Sequence, residues 1–291
     1  MFSIDDPWAP LTDVMVGTCH TSLDWVSDSA VYDQLKLIVE ETQQDLDNLA
    51  TWLQQRNIHV HRPTTRFTKR PIVSPRDYIL VLDQRIFVDQ IKFDNIDAIN
   101  LPTVSSSTVH HFGCRLCLSR DVDPDVTHVF ADYELIWFHQ SGHIDGWFTI
   151  PCPGLIISAR DHQRPELLAL FYRRHFPDHE VVYVNETRTK VDWNIYRNTP
   201  TQEFVNKYLE SWVGNPDETV FELNMLILDK NNVVVNCIDD TVAAALQRYN
   251  VTAHIVPFRH APFWDCGIHC ATADLSRKKA GSLSPRPTAH S

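Results

Sequence analysis

Glycine is scarce in this chain. Its 291 residues hold only eight, and neither GxGxxG nor GxxxxGK[ST] occurs. Loops that cradle phosphates need glycines at fixed offsets so that backbone N–H groups can reach the anion, so nucleotide and dinucleotide cofactors are disfavoured. Long basic runs are missing too. Lys and Arg number 26 against 37 Asp and Glu, for a net charge of −11, which argues against nucleic-acid partners. An acidic balance suits cationic small molecules, although solubility alone also accounts for it. No apolar run approaches the roughly 18–20 residues that span a bilayer. The opening MFSIDDPWAP has neither the basic flank nor the apolar stretch of an export signal. The expectation is a cytoplasmic protein without a membrane partner.

An apolar content of 43% and a charged content of 22% fit a soluble globular chain. The length allows one large domain or two ordinary ones. Seven cysteines (Cys19, Cys114, Cys117, Cys152, Cys237, Cys266, Cys270) are an odd number. In a long chain without an export signal a disulfide framework is not expected. Each is then a packed apolar residue, a metal ligand or a reactive thiol.

Hydrophobic patterning repeats along the chain. Residues 223–228 and 233–237 read as strands around the turn 229–232, followed by a helix over 241–249 and a strand over 253–258. The order recurs in a hairpin of 143–150 and 155–159, a helix over 165–175 with Pro at its first turn, and a strand over 181–184. Earlier come a strand at 14–17, a helix over 31–55 and a strand at 58–60. In that helix Leu35, Ile38, Val39, Leu46, Leu49 and Leu53 fall at helical spacing. A hairpin of 78–82 and 85–88 and a weaker pair at 114–118 and 135–138 complete four or five units. Such repetition suggests a closed, pseudo-symmetric α/β architecture. A doubly wound sheet is the rival, but paired hairpins fit parallel βαβ units poorly. Residues 185–218 stand outside the pattern as a polar insertion, a lid or ornament. The segment 276–291 reads as a disordered tail.

Three clusters combine reactive residue types: Ser74-Pro-Arg-Asp77, Gly142-His-Ile-Asp145 and Cys266-Gly-Ile-His-Cys270, the last followed by Ala-Thr-Ala-Asp274. His143 and Asp145 open an expected strand and, two apart, project to one face. A lone strand-edge histidine is more often structural, and a cysteine among apolar residues is most often packed. A Cys-bearing loop with a His and several carboxylates is different. A thiol nucleophile needs a base or cation beside it, and its leaving group needs an acid.

In the order of these clusters the chain resembles the glycine and inosamine amidinotransferases, within the guanidino-modifying penteins. The resemblance rests on Trp8-Ala-Pro-Leu-Thr-Asp-Val-Met-Val-Gly17, the stretch from Glu41 to Val60-His-Arg-Pro63, Ser74-Pro-Arg-Asp77 and Gly142-His-Ile-Asp-Gly-Trp-Phe148. Pro153-Gly-Leu-Ile-Ile-Ser158, Phe221-Glu-Leu-Asn-Met-Leu-Ile-Leu-Asp229 and Gly267-Ile-His-Cys-Ala-Thr272 extend it across about residues 7–280. It implies a pentein-type five-bladed pseudo-symmetric α/β propeller of ββαβ-like units, as one domain over 1–275. It also implies roles. Cys270 attacks the guanidinium carbon and His143 serves as general acid and base. Asp77 and Asp145 pair with the guanidinium, and Arg164, or alternatively Arg160, holds the carboxylate of an amino-acid donor such as arginine. Glu222 and Asn224 fall in the substrate-binding stretch. The implied reaction is ping-pong transfer to an amine acceptor, with no cofactor and no metal, and with a homodimer left open.

The chain also departs from the family pattern. Where the family has an aspartate that orients the histidine, this chain has Ser105-Ser-Ser-Thr108. Thr108, or Asp121 from elsewhere, is the substitute to look for. A glycine-rich run before the nucleophile is replaced by Phe263-Trp-Asp-Cys-Gly267, which is expected to reshape the acceptor pocket. Three rival readings stand beside the transferase: a hydrolase using water as second nucleophile, a non-catalytic guanidino-binding relative, and a metal protein. For the last, His110-His111-x-x-Cys114-x-x-Cys117 and Cys266, His269 and Cys270 offer ligand types, but without paired CxxC spacing.

Overall fold

The computed structural model describes residues 2–63, 71–88, 98–101, 104–185 and 220–278. They form five three-stranded sheets. In each, the middle strand runs antiparallel to one neighbour and parallel to the other. The antiparallel pair needs only a turn, whereas the parallel pair needs a crossover. One repeated unit therefore accounts for both the hairpins and the helices.

In the first sheet β1 (Leu11–Val16) is joined by helix α1 (Ser29–Gln54) to β2 (His59–His61). The last strand of the chain, β15 (Thr272–Arg277), completes that sheet against β1. The second sheet holds β3 (Ile79–Leu82), β4 (Arg85–Val88) and β5 (Ile99–Asn100), and the third holds β6 (Val109–Phe112), β7 (Arg115–Leu118) and β8 (Glu134–Trp137). The fourth is β9 (Phe148–Cys152), β10 (Leu155–Ser158), helix α2 (Pro165–His175) and β11 (Glu180–Tyr183). The fifth is β12 (Leu226–Asp229), β13 (Asn232–Val235), helix α3 (Asp240–Arg248) and β14 (Thr252–Ile255). A four-residue helix α4 (Ala261–Trp264) precedes the Cys270 loop. No helix among the described residues is long and apolar enough to cross a membrane.

Helix α1 shows how sequence sets position. The Asp28 carboxylate accepts from the N–H groups of Ala30 and Val31, satisfying donors that the first turn leaves open. Leu35, Ile38, Leu46, Leu49 and Leu53 are buried on one face, worth about 2 kcal/mol each. Thr42 and Asp45 share that face. Thr42 accepts a hydrogen bond from the Trp264 indole at 2.9 Å, and Asp45 pairs with Arg259 at 2.8 Å. Glu41 adds His260 at 2.7 Å. The helix thus anchors residues 259–264, the approach to Cys270.

Several boundaries differ from the sequence expectation. His143 opens no strand: Ile144–Gly146 is a 3₁₀ turn and β9 begins at Phe148. Gly142 has φ 85° and the Ile144 N–H is drawn to Ser107 O at 2.8 Å, so the segment cannot continue extended. Strand β6 was not expected, because its histidines at 110 and 111 break the apolar alternation. The domain does not stop at 275: Ser276 and Arg277 are buried in β15. The expected insertion at 185–218 and the tail beyond 278 lie outside the described residues, apart from Asn185.

Strand β15 also carries a buried ion-pair cluster. Asp274 takes Arg76 at 2.8 Å and bonds Arg277 as well, and both guanidiniums are almost wholly buried. Replacing Asp274 by Asn strands two buried cations, a loss of roughly 3–5 kcal/mol that denaturant unfolding should register. Burial alone would raise the Asp274 carboxyl, but Arg277 and Arg76 hold it well below the ordinary range. Its stabilisation is therefore full above about pH 4 and is lost as pH falls toward the depressed folded value. The wild type should lose this increment in acid, whereas Asp274→Asn should show a flatter profile.

Candidate active site

The turn that carries His143 and Asp145 and the loop that ends at Cys270 meet at the foot of a cleft of about 670 Å³, and the 3₁₀ turn Pro75–Asp77 brings Asp77 to His143 from outside its lining. His143, Asp145, Arg160, Asn224, Asp265 and Cys270 line it. Ligand sites for small molecules run to roughly 300–1,000 Å³, so an amino acid fits.

Arg76 fixes the floor. Its Nε donates to the carbonyls of His269 (2.7 Å) and Thr272 (2.9 Å), on either side of Cys270. Because Asp77 follows directly, the same side chain sets where that carboxylate stands. Asn224, just before β12, grips the loop. Its Oδ1 accepts from the Cys270 N–H at 2.8 Å, its Nδ2 reaches Cys270 Sγ at 2.9 Å, and its carbonyl accepts from the His269 N–H at 3.1 Å. Gly267 makes this approach feasible, since a Cβ there would stand 2.5 Å from the Asn224 Cβ.

Asp145 is the centre. It is buried, and its Oδ2 lies 2.7 Å from His269 Nδ1, 3.3 Å from Asn224 Nδ2 and 3.2 Å from Cys270 Sγ. Burial opposes ionisation, but the bond to His269 and the nearby His110 and His143 hold the carboxyl well below its ordinary value. Asp145 is a fixed negative charge beneath an open cleft.

That charge acts on the thiol. The Cys270 thiol is pushed up by its hydrogen bond with Cys266, by burial and by Asp145, while the hydrogen bond from His143 opposes them. The Cys270 S–H therefore donates to Asp145 in the free protein. Burial works against the His143 cation, but the bond to Cys270 and the charges of Asp77 and Asp145 raise it to about 10. His143 is an imidazolium at neutral pH. His110 is pushed down to about 3, chiefly by burial.

The seven cysteines sort on these grounds. All are free thiols. Burial drives Cys19 and Cys117 far up, and raises Cys152 to about 11, so they are packed and inert. Among the described residues, Cys270 alone of the seven combines a histidine, a carboxylate and the cleft.

Other expected site residues fall differently. Asp77 lies 3.7 Å from His143 Nδ1. Thr108 is turned to its own loop, where its hydroxyl accepts from Ser105 N–H at 3.0 Å. Asp121 binds the Gly142 N–H, which steadies the peptide ahead of His143 rather than the imidazole. Arg164 points to Gln140 at 2.9 Å, and Arg160, over the Tyr183 ring, lines the cleft instead. Glu222 is buried next to Phe221 and is not among the cleft-lining side chains. Phe263 and Trp264 do not reshape the pocket: both are buried in the core, and of that run only Asp265 reaches the cleft. Arg76 went unassigned at the level of sequence, and His269 was weighed there only as a metal-ligand type, although each sits inside a motif already singled out.

No protein-family model matches the chain, and no curated protein matches it. Solved structures do. The inosamine-phosphate amidinotransferase of Streptomyces griseus superposes with a TM-score of 0.66 at 17% identity, over 96% of this chain and 98% of that one. An amidinotransferase of the saxitoxin biosynthetic pathway from Microseira wollei gives 0.61 at 15% identity, over 98% and 99%. The fold is the pentein fold. Hydrolytic penteins match as well: agmatine deiminase of C. jejuni gives 0.57 at 13% identity, over 96% and 97%. At these identities the likeness is one of architecture, and the chemistry rests on the site geometry just described.

The sign of the Asp145 effect on Cys270 can be tested. Asp145→Asn removes a charge that holds the thiol up, so iodoacetamide should alkylate Cys270 faster at neutral pH in the variant. The rate–pH curve should shift to lower pH; an unmoved curve would rule out Asp145 as the cause.

Proposed function

We propose that this chain is a guanidino-modifying enzyme that moves an amidino group from a donor such as arginine to an amine, with Cys270 as the nucleophile. The observation that carries the reading is the convergence of Cys270 Sγ, His143 and Asp145, whose polar atoms lie within 4.8 Å of one another at the foot of the cleft.

A guanidinium entering the cleft meets Asp145 and Asp77, and carboxylates pair with its planar fork. The incoming cation offsets the charge that keeps Cys270 protonated, so the thiol proton leaves to solvent and a thiolate faces the amidino carbon. Attack forms a C–S bond. The C–N bond to the donor amine then breaks, and the His143 imidazolium gives that nitrogen its proton. In the second half the acceptor amine loses a proton to His143, forms the new C–N bond and expels the thiolate. Water in place of the amine gives the hydrolytic outcome, the reading favoured by the deiminase neighbour.

Intact mass spectrometry after exposure to arginine should show one amidino adduct, mapped to Cys270 and absent from Cys270→Ser. Citrulline formed without added amine would sink the transferase step. No adduct and no product with arginine, agmatine or creatine-like donors would sink the enzyme reading. His143→Asn should lower kcat by about 10²–10⁴.

Arg160 supplies the cleft with a cation for the donor carboxylate. Arg160→Gln should raise KM for arginine while leaving kcat nearly unchanged, and should not affect agmatine, which has no carboxylate. An equal loss for both donors would remove Arg160 from that role.

A further inference from the structure

Asp145 belongs to a second cluster, whose two histidines the reaction does not use. Strand β6 brings His110 there, and the nucleophile loop brings His269. One ligand atom from each histidine and one from Asp145 lie within 4.8 Å of one another. The two imidazoles are 5.7 Å apart, edge to face. His110 Nε2 and Asp145 Oδ1 are both buried and have no hydrogen-bond partner among the described residues. Buried polar atoms are nearly always satisfied, and orphans call for an explanation such as a bound ion. A cavity of about 80 Å³ adjoins the two histidines, with Arg76 and Asp274 also in its lining.

We infer that His110, His269 and Asp145 form a site for a zinc-class divalent cation behind the nucleophile. Two imidazoles and one carboxylate are a donor set that suits zinc with a fourth position left open. Zinc ligands sit about 2.0–2.2 Å from the ion, so a bound ion would replace the hydrogen bond that His269 Nδ1 makes with Asp145 at 2.7 Å. The opposing charge of Arg76 is met by Asp274 at 2.8 Å and by two carbonyls. The other triad with ligand spacing, His143, Asp145 and Cys270, is the lesser site. Its Cys270 already holds bonds from Asn224 and to Asp145, whereas the buried His110 Nε2 has no partner among the described residues to give up.

The two functions share Asp145. A cation bound there withdraws the carboxylate from the guanidinium, so zinc competes with the donor. This part rests on the proposed function; the metal site itself does not.

The test is titration of chelator-treated protein with zinc by calorimetry and with cobalt by absorption. One equivalent should bind, with cobalt d–d bands and no thiolate-to-metal charge-transfer band. Cys270→Ala should keep the site. His110→Phe and the smaller His110→Asn, each checked for folding by circular dichroism, should weaken binding by about 100-fold or more. No binding to the wild type, a thiolate band, or loss in Cys270→Ala with retention in both His110 variants would overturn the site. With arginine as donor, zinc should raise KM in the wild type and not in the His110 variants. Binding without that effect would refute the shared-carboxylate role while leaving the site, and the titrations decide the site whether or not arginine is turned over.

Discussion

A buried guanidinium must be matched on every side, and Arg76 is where this protein meets that demand. Removing a charge from water costs several kcal/mol unless partners replace its hydration. Arg76 finds them in Asp274 and in the carbonyls of His269 and Thr272. Those carbonyls belong to the loop that holds Cys270, and Arg76 itself belongs to the turn that holds Asp77. The electrostatic need of one side chain therefore fixes the distance between the nucleophile and a carboxylate that are far apart in sequence. Loop geometry of this kind is usually the least rigid part of a site; here the neutralisation of a buried charge makes it rigid.

Much of the fold was legible because its unit repeats. Hairpins such as 79–88 and 226–235 announce themselves by apolar alternation around short polar turns, and α1 by a stripe from Leu35 to Leu53. Strand β6 was not legible. His110 and His111 occupy positions where alternation predicts apolar residues, and they are there because that strand borders the polar centre. The glycine-bounded turn at 144–146 was missed for a related reason. His143 and Asp145 share a face in a strand and also converge in a 3₁₀ turn, so residue spacing alone could not separate the two.

The site was legible in its parts more than in its connections. Cys270, His143, Asp145 and Asp77 follow from the order of three short clusters. What pattern cannot supply is which long side chain reaches inward: Arg160 and Arg164 both lie in the short stretch before α2, and the Gln140 contact turns Arg164 aside. The bulky Phe263 and Trp264 looked like pocket residues because they precede the nucleophile. Helix α1 draws them the other way, through the bond from Trp264 to Thr42. Zinc was disfavoured on spacing, since neither histidine cluster has it alone. The fold joins one histidine from each.

The close approach of Gly267 to Asn224 has a consequence for how this lineage can change. Any side chain at 267 collides with the amide that holds Cys270. A smaller residue at 224 would relieve the collision but would leave the thiol and its N–H without their partner. Neither position can drift alone. Substitution at one becomes tolerable only after the other has found a new way to hold the nucleophile, so the two should be inherited as a pair across distant descendants, however far the surrounding surface diverges.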